Sequence, residues 1–231
     1  MHPGMSWWTE RSIGWFERAS AACDYHRQLV SLVERYLRPG DRIVELGCGL
    51  GYEAQILHGD GFDIKAYDKS PDVIREARQR TGLDLYHCAD VNAMGDAGDS
   101  GEKADVLLCI NFGHLETEED FRRLAAHSCG RIVYIISRHS GHNQDTRPDR
   151  THQVESILDR CCVPYEEEEI TLDFNQPLVS MEEACEFIAW TYLGKNPDGY
   201  LEYVVRTDDS TYPFLFLNRK SLVLFSIGET K

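Results

Sequence analysis

The sequence predicts an α/β protein with a doubly wound, mostly parallel, seven-stranded sheet flanked by helices. A helical lead-in precedes the sheet and a cap insertion is expected in the C-terminal half. Three observations predict this class. From residue 41 onward, short apolar runs alternate with amphipathic segments, the order that right-handed β–α–β crossovers produce. Glycines recur at alternate positions after the first run, at Gly47, Gly49 and Gly51, where an open sheet receives a ligand beyond the carboxyl end of a strand. The 231 residues are 42% hydrophobic and 27% charged, ordinary globular usage that excludes disordered and fibrous classes.

The elements follow in order. Leu29, Leu32, Val33, Tyr36 and Leu37 recur at helical spacing, and Pro39-Gly40 stops the run. Upstream, Trp7, Trp8, Trp15 and Phe16 form an aromatic lead-in, read as packing on the domain. Strands are expected at 42–46, 62–67, 85–89, 106–110 and 131–136, with a short helix at 52–58. Ser70 reads as an N-cap, Pro71 as the first helical residue and Gly82 as the stop, giving a helix over 71–81. Thr117 with Asp120 resembles a capping box for a helix that Gly130 is expected to end. After Ser137 the alternation loosens. A loop at 138–148 leads to a helix near 151–162, a strand at 167–172, a helix at 181–192 capped by Ser180 and Glu183, and a closing strand at 222–227. The stretch 174–219 follows the sixth strand and is expected to emerge over the ligand edge. In its helix, Met181, Ala184, Phe187 and Ile188 form an apolar face that reads as core.

Charge and cysteine usage exclude further classes. Lys and Arg number 24 against 39 Asp and Glu, a net charge of −15, which repels phosphate backbones; no nucleic-acid partner is expected. The longest apolar runs are too short to span a bilayer, and the first residues show neither a basic nor an apolar leader region. A cytoplasmic location without a membrane partner is therefore expected. Eight cysteines form no Cys-x-x-Cys pair and read as reduced, buried thiols, with Cys88 and Cys109 inside strand-like runs. The acidic run from Glu166 to Glu169 reads as a solvated strand edge.

The first strand end reads Val44-Glu45-Leu46-Gly47-Cys48-Gly49-Leu50-Gly51-Tyr52. Alternate glycines let the backbone turn sharply and approach a ligand closely. A dinucleotide needs Gly-x-Gly-x-x-Gly, but here the third glycine comes one residue early and Tyr52 takes its place. Glu45 adds a carboxylate at the loop, repulsive to a pyrophosphate and attractive to a cation by about 4 kcal/mol for a close pair at an effective dielectric near 20. A cationic ligand is favoured.

At this point the sequence resembles the class I S-adenosylmethionine (SAM)-dependent methyltransferases. Their first motif, an acidic residue, an apolar residue and Gly-x-Gly-x-Gly, is matched by Glu45-Leu46-Gly47-Cys48-Gly49-Leu50-Gly51. Asp68 stands where the family ends its second strand with an acid, and Asp68-Lys69-Ser70-Pro71 through Ala77-Arg78 is similar to the helix entry that follows. Asp90 in Cys88-Ala89-Asp90-Val91, and the stretch from Asp105 to Asn111, are similar to the third and fourth landmarks. The resemblance covers about residues 38–137 and implies SAM as cofactor, with methyl transfer as the reaction. It implies one methyltransferase domain over 1–231: a lead-in at 1–40, a cofactor-binding core at 41–137 and a substrate-side half at 138–231 with the cap at about 174–219.

Residue roles carry over by position. The resemblance implies that Asp68 takes the ribose hydroxyls, that Asp90 and the Val91 backbone take adenine, and that the Lys69 stem covers an adenine face. Gly47, Cys48 and Gly49 would line the methionine moiety, with Glu45 and Gly51 completing the loop. Asn111 and Phe112 would lie near the methyl group. His114, His139 and His142 are candidate bases, each also readable as a plain surface or packing histidine. The pair His139 and His142 lacks further ligands at metal-binding spacing, so no metal is expected. Arg138, His139, His142, Arg147 and Arg150 form a basic island in an acidic chain, suiting a small-molecule acceptor with a carboxylate or phosphate. The Asn-Pro-Pro-Tyr of base- and amide-directed methyltransferases is absent: only Asn111 of Asn111-Phe112-Gly113-His114 matches it. Two alternatives stay open, a non-catalytic SAM-binding protein and another transferase of this fold such as an aminopropyl transferase. Either a monomer or a homodimer is compatible with the sequence.

Overall fold

The computed structural model describes residues 8–90, 103–113, 115–138, 150–192 and 196–228. The elements begin with α1 (Glu10–Ala21), α2 (Tyr25–Val33), β1 (Arg42–Leu46), α3 (Tyr52–Gly59), β2 (Asp63–Asp68), α4 (Pro71–Thr81) and β3 (Tyr86–Cys88). Next come β4 (Ala104–Ile110), α5 (Glu118–Ala126), β5 (Ser128–Ser137), α6 (Arg150–Arg160) and β6 (Tyr165–Asp173). The last are β7 (Gln176–Leu178), α7 (Met181–Thr191), β8 (Val204–Arg206), β9 (Phe214–Phe216) and β10 (Arg219–Ile227). The chain divides into two compact units, one of His26–Arg138, Pro148–Ile170 and Leu222–Lys231, the other of Met1–Tyr25, His139–Arg147 and Thr171–Ser221.

The first unit is built on a seven-stranded sheet of order β3-β2-β1-β4-β5-β10-β6. β1 runs parallel to β2, with Val44 opposite Lys65, and to β4, with Val44 opposite Leu107. β2 and β3, and β4 and β5, are also parallel pairs, whereas β10 is antiparallel to β5 with Leu222 opposite Ser137. Strand order therefore reverses between β1 and β4, and the crevice at their carboxyl ends is where such sheets bind ligands. β4 from Val106 to Ile110 and β5 from Ile132 to Ile136 are continuously apolar, as strands covered on both faces are. On one face Leu107, Cys109, Ile132, Tyr134, Val223 and Phe225 pack with Phe121, Leu124, Val154 and Ile157 from α5 and α6. β6 ends the sheet, and its acidic residues blunt that edge; Glu168 pairs with Arg35 there.

The helix ends show which local signals acted as expected. α4 spans the predicted residues, with Pro71 at its start and Gly82 in the left-handed region at φ 69°. The Ser70 side chain does not cap it; the Ser70 N–H instead donates to Asp68 Oδ1 at 2.8 Å. Thr117 and Asp120 form both halves of a capping box. Gly130 does not end that helix, which stops at Ala126 with His127 as C-cap. It belongs to β5, where the register shifts between Ala104 and Val106. Gly130 adopts φ 134° there and donates its N–H to Ser128 Oγ at 3.0 Å. A positive-φ glycine serves a bulge as readily as a helix end.

The second unit contains an antiparallel sheet of order β7-β9-β8, in which Phe216 stands opposite both Gln176 and Val204. Its core joins Trp15 of the lead-in to Leu178, Ala184, Phe187, Ile188, Tyr192 and Phe216. Trp15 meets Phe187 edge-on at 5.4 Å, and its indole N–H donates to Glu183 Oε1 at 3.1 Å. Met181, expected on the apolar face of α7, is 39% exposed: it is the first residue of the helix, ahead of the turn that faces the core. The eight cysteines are free; Cys48 and Cys109 are buried. Cys88, Cys129 and Cys162 are exposed, which corrects the expectation of buried thiols, since Cys88 ends the short strand β3. No helix among the described residues is long and apolar enough to cross a membrane.

Candidate functional site

The turn after β1 is held from both sides. The N–H groups of Gly47 and Cys48 donate to Tyr67 O at 2.7 and 3.0 Å, anchoring the turn to β2. Gly47 and Gly51 adopt φ 74° and 72°, and a Cβ on either would meet an aromatic ring, Phe112 at Gly47 and Tyr86 at Gly51. The Tyr86 hydroxyl donates to Gly51 O at 2.9 Å. Both glycines are thus required by conformation and by close approach. Cys48 is buried beneath the loop, and that burial, before the nearby carboxylates, pushes its thiol well above the ordinary range. It is a packing residue with little thiolate character.

Asp68 ties this loop to the end of β2. Its Oδ2 accepts from the Gly49 N–H at 3.0 Å and its Oδ1 from the Ser70 N–H at 2.8 Å. A carboxylate oxygen has two lone pairs, so each keeps one for a ligand hydroxyl. Lys69 beside it is exposed. β3 runs alongside, with Asp68 opposite Cys88 and the Ala89 N–H donating to Asp68 O at 3.0 Å. Asp90 is exposed two residues beyond the strand. Val91 lies outside the described residues.

Glu45 points beneath the loop rather than into the open crevice. It is 2% exposed, and its Oε2 has no hydrogen-bond partner among the described residues. Burial first, then the charges of Glu53 and Asp68, hold its carboxyl well above the usual range, against the Ala54 N–H that favours the carboxylate. Glu53, also buried, meets His26 Nδ1 at 2.6 Å. The His26 ring stacks on Tyr52 at 4.5 Å and an interplanar angle of 10°, while the Arg80 guanidinium lies 3.9 Å from the centre of the same ring. Two groups that close to one ring centre must occupy opposite faces, so Tyr52 is sandwiched. Arg80 Nη2 also donates to Leu50 O at 2.8 Å. His26, Glu53 and Arg80 escape the sequence reading because each comes from a different helix and none belongs to a motif.

At the end of β4, Asn111 takes φ 51°, a left-handed conformation rare for a residue with a Cβ. Its Oδ1 accepts the Ser137 N–H at 3.1 Å and the Ser137 hydroxyl at 3.0 Å. Phe112 packs on Gly47, and its carbonyl lies 3.4 Å from the Tyr134 hydroxyl. Burial pushes the Tyr134 phenol above its ordinary range. Glu45, Gly47, Cys48, Gly49, Gly51, Asp68, Asn111 and Phe112 therefore gather at the carboxyl ends of β1, β2 and β4. Asp105 stands at the other end of β4, where it accepts from the Arg42 backbone and guanidinium at 3.0 Å; that partner holds its carboxyl below the usual range. His114, His139 and His142 lie outside the described residues, as does Arg147. Arg138 pairs with Glu169. No group of three or more potential metal ligands occurs among the described residues.

A glycine turn at a strand-order reversal, with an acid ending the neighbouring strand, defines a Rossmann-like nucleoside-binding fold. The chain has the fold of the class I SAM-dependent methyltransferases and is similar in sequence to members of that group. It is 29% identical to a glycine/sarcosine N-methyltransferase of Parasynechococcus marenigrum over 138 residues, 57% of this chain and 45% of that enzyme. It is 36% identical to a malonyl-[acyl-carrier protein] O-methyltransferase of Anoxybacillus flavithermus over 66 residues, 26% of this chain and 25% of that one. The match thus spans less than half the length of these curated relatives. Among solved structures, magnesium protoporphyrin IX methyltransferase from Synechocystis with bound SAH superposes with a TM-score of 0.55 at 14% identity, covering 98% of this chain and 90% of that one. No family model matches the chain. SAM is the cofactor of this fold group, and the residues present fit it: a cradle that a Cβ would fill, a free lone pair on each Asp68 oxygen and an orphaned buried carboxyl oxygen on Glu45.

Proposed function

We propose that this chain is a SAM-dependent methyltransferase that acts on a small-molecule acceptor by in-line displacement. The observation that carries the reading is Asp68, whose two oxygens each brace a backbone N–H while keeping a lone pair for a vicinal diol. Bound SAM supplies an activated methyl group on a cationic sulfur. The protein's share is alignment and the exclusion of water. In this reading Gly47, Cys48, Gly49 and Gly51 line the methionine moiety, with Glu45 beneath them as the balancing charge. Asp68 holds the ribose, Lys69, Asp90 and Val91 lie along adenine, and Asn111 and Phe112 stand at the methyl end. His114, His139 and His142 are kept as candidate bases for acceptors that must lose a proton.

The relatives named for O- and N-methylation leave the acceptor atom open. Of the basic island, Arg147 and Arg150 support an anionic acceptor, Arg138 being paired with Glu169, and the net charge of −15 speaks against nucleic acid. Eight unpaired cysteines support a reducing, cytoplasmic setting. Calorimetric titration with SAM and S-adenosylhomocysteine, followed by incubation with methyl-labelled SAM and a metabolite extract, tests the proposal. Binding and label in a small product are expected. Tight binding without transfer would leave a SAM-binding protein, and no binding would remove both readings.

A further inference from the structure

The end of β4 presents donors, and that bears on which atom is methylated. A backbone N–H only donates, so the Asn111 amide atom facing the Ser137 N–H at 3.1 Å must be the oxygen. This contact settles the amide orientation that side-chain partners alone would leave open. The Ser137 hydroxyl at 3.0 Å engages the same oxygen. The amide nitrogen, with two N–H donors, is turned away from Ser137 on an exposed residue, and no described residue accepts from it. Asn111 follows β4, the neighbour of β1, and the next residue, Phe112, packs on Gly47, so these donors lie at the same sheet edge as the glycine loop, on its β5 side. The strained φ of 51° is what places the amide there.

The backbone of a basic residue lies close by. Arg150 opens α6, and its N–H donates to Arg138 O at 3.3 Å, one residue from Ser137. Its charge bears on the Tyr134 phenol, whose hydroxyl lies against Phe112 O. Unlike Arg138, which Glu169 neutralises, Arg150 has no carboxylate partner among the described residues.

Resting on the function proposed above, we infer that the methylated atom is a carboxylate oxygen, received by the Asn111 amide N–H and drawn in by Arg150. An amine acceptor would point its own N–H groups at the Asn111 donors and at a positive charge, whereas a carboxylate offers lone pairs and a negative charge to both. In the transfer, a carboxylate lone pair forms the O–C bond to the methyl carbon as the C–S bond breaks. The bonding pair stays on sulfur, the sulfonium becomes a neutral thioether, the acid becomes a methyl ester, and no proton is released. Asn111 is thus a specificity-determining residue that acts by hydrogen bonding to the acceptor.

The test uses the whole chain with methyl-labelled SAM, a metabolite extract and a panel of small carboxylic acids, amines and phenols. Label is expected in products that mild alkali hydrolyses to volatile methanol, as esters do. Alkali-stable label, or label in amines or phenols alone, overturns the inference; so does absence of any labelled product from a protein that binds S-adenosylhomocysteine. Failure to bind S-adenosylhomocysteine would instead sink the underlying function. Asn111→Asp keeps an oxygen for Ser137, tolerates the left-handed backbone and replaces the donor by a carboxylate. It is expected to raise the acceptor KM at least thirtyfold. It should weaken calorimetric binding of the acid to the S-adenosylhomocysteine complex similarly, measured for both proteins at saturating S-adenosylhomocysteine. Unchanged acid binding in this variant overturns the role of Asn111.

Discussion

Asp68 and Gly49 are joined at 3.0 Å, the carboxylate Oδ2 accepting the glycine N–H across the carboxyl ends of β2 and the turn after β1. With the Ser70 N–H on the other oxygen at 2.8 Å, the carboxylate is oriented before any ligand arrives, so little ordering remains to be done on binding. Asp68→Ala is expected to weaken SAM binding at least tenfold, about 1.4 kcal/mol. Calorimetry checks this; an unchanged Kd would place the ribose anchor elsewhere. Asp68→Asn keeps an oxygen for only one of the two backbone donors, so its loss should be of similar size.

The parts of this fold that were readable share one property: their signals are local. The β1–turn–α3 unit follows from glycines two residues apart, and the bounds of α4 from Pro71 and Gly82. What escaped reading depends on contacts across long separations or on very short elements. His26 and Glu53 are 27 residues apart on α2 and α3, and nothing in either local pattern announces the pair. Gly130 was ambiguous in principle, because a left-handed helix end and a bulge demand the same freedom. The strands β7, β8 and β9 have three residues each, fewer than a period-2 pattern needs to stand out. Their region, 174–219, therefore showed no order beyond the helix α7. In the site, the chain positions of Glu45 and Asn111 were legible, but the burial of one and the amide orientation of the other come only from packing.

Glu45 gives a pH signature. Its carboxyl is held well above the usual range chiefly by burial, so in the ligand-free protein it retains its proton to higher pH than an ordinary glutamate. A cation bound above it favours the carboxylate and lowers that pKa. Binding of SAM should therefore release protons, and affinity should rise with pH until it passes the free-protein pKa. Calorimetry over a series of pH values, in buffers of different ionisation enthalpy, reads the number of protons directly. Glu45→Gln should abolish the release and weaken binding about tenfold. Equal proton counts in the two proteins would show that Glu45 does not sense the ligand charge.

The sandwich on Tyr52 predicts a coupling between α4 and the loop. Arg80 contributes a cation–π contact at 3.9 Å and a hydrogen bond to Leu50 O at 2.8 Å. Arg80→Met keeps much of the side-chain volume but loses both, and should cost about 1–2 kcal/mol in urea unfolding. Because Leu50 lies within the glycine turn, the KM for SAM should rise several-fold while the KM for the acceptor stays within twofold. A fall in stability with no change in the SAM KM would make Arg80 a scaffold residue without influence on the cradle.

Lys220 on β10 sets a second pH dependence, this one of stability. Its ammonium is desolvated, which lowers its pKa from 10.5 to about 8. Below pH 8 the amine is protonated in both folded and unfolded chains, and the cost of burying the charge is present in full. Between pH 8 and 10.5 the unfolded chain holds the proton and the folded one does not, so this residue's contribution to stability rises with pH and then levels off. The residue is only partly buried, so solvent reduces the full effect, and roughly 1–3 kcal/mol is expected. Lys220→Met should stabilise the protein by that amount at pH 7, and the gain should shrink to near zero by about pH 10.5. Other lysines and tyrosines titrate in the same range, so the informative quantity is the difference between the two proteins in denaturant unfolding across pH. A difference that stays constant from pH 7 to 10.5 would mean that the Lys220 amine remains solvated in the folded chain.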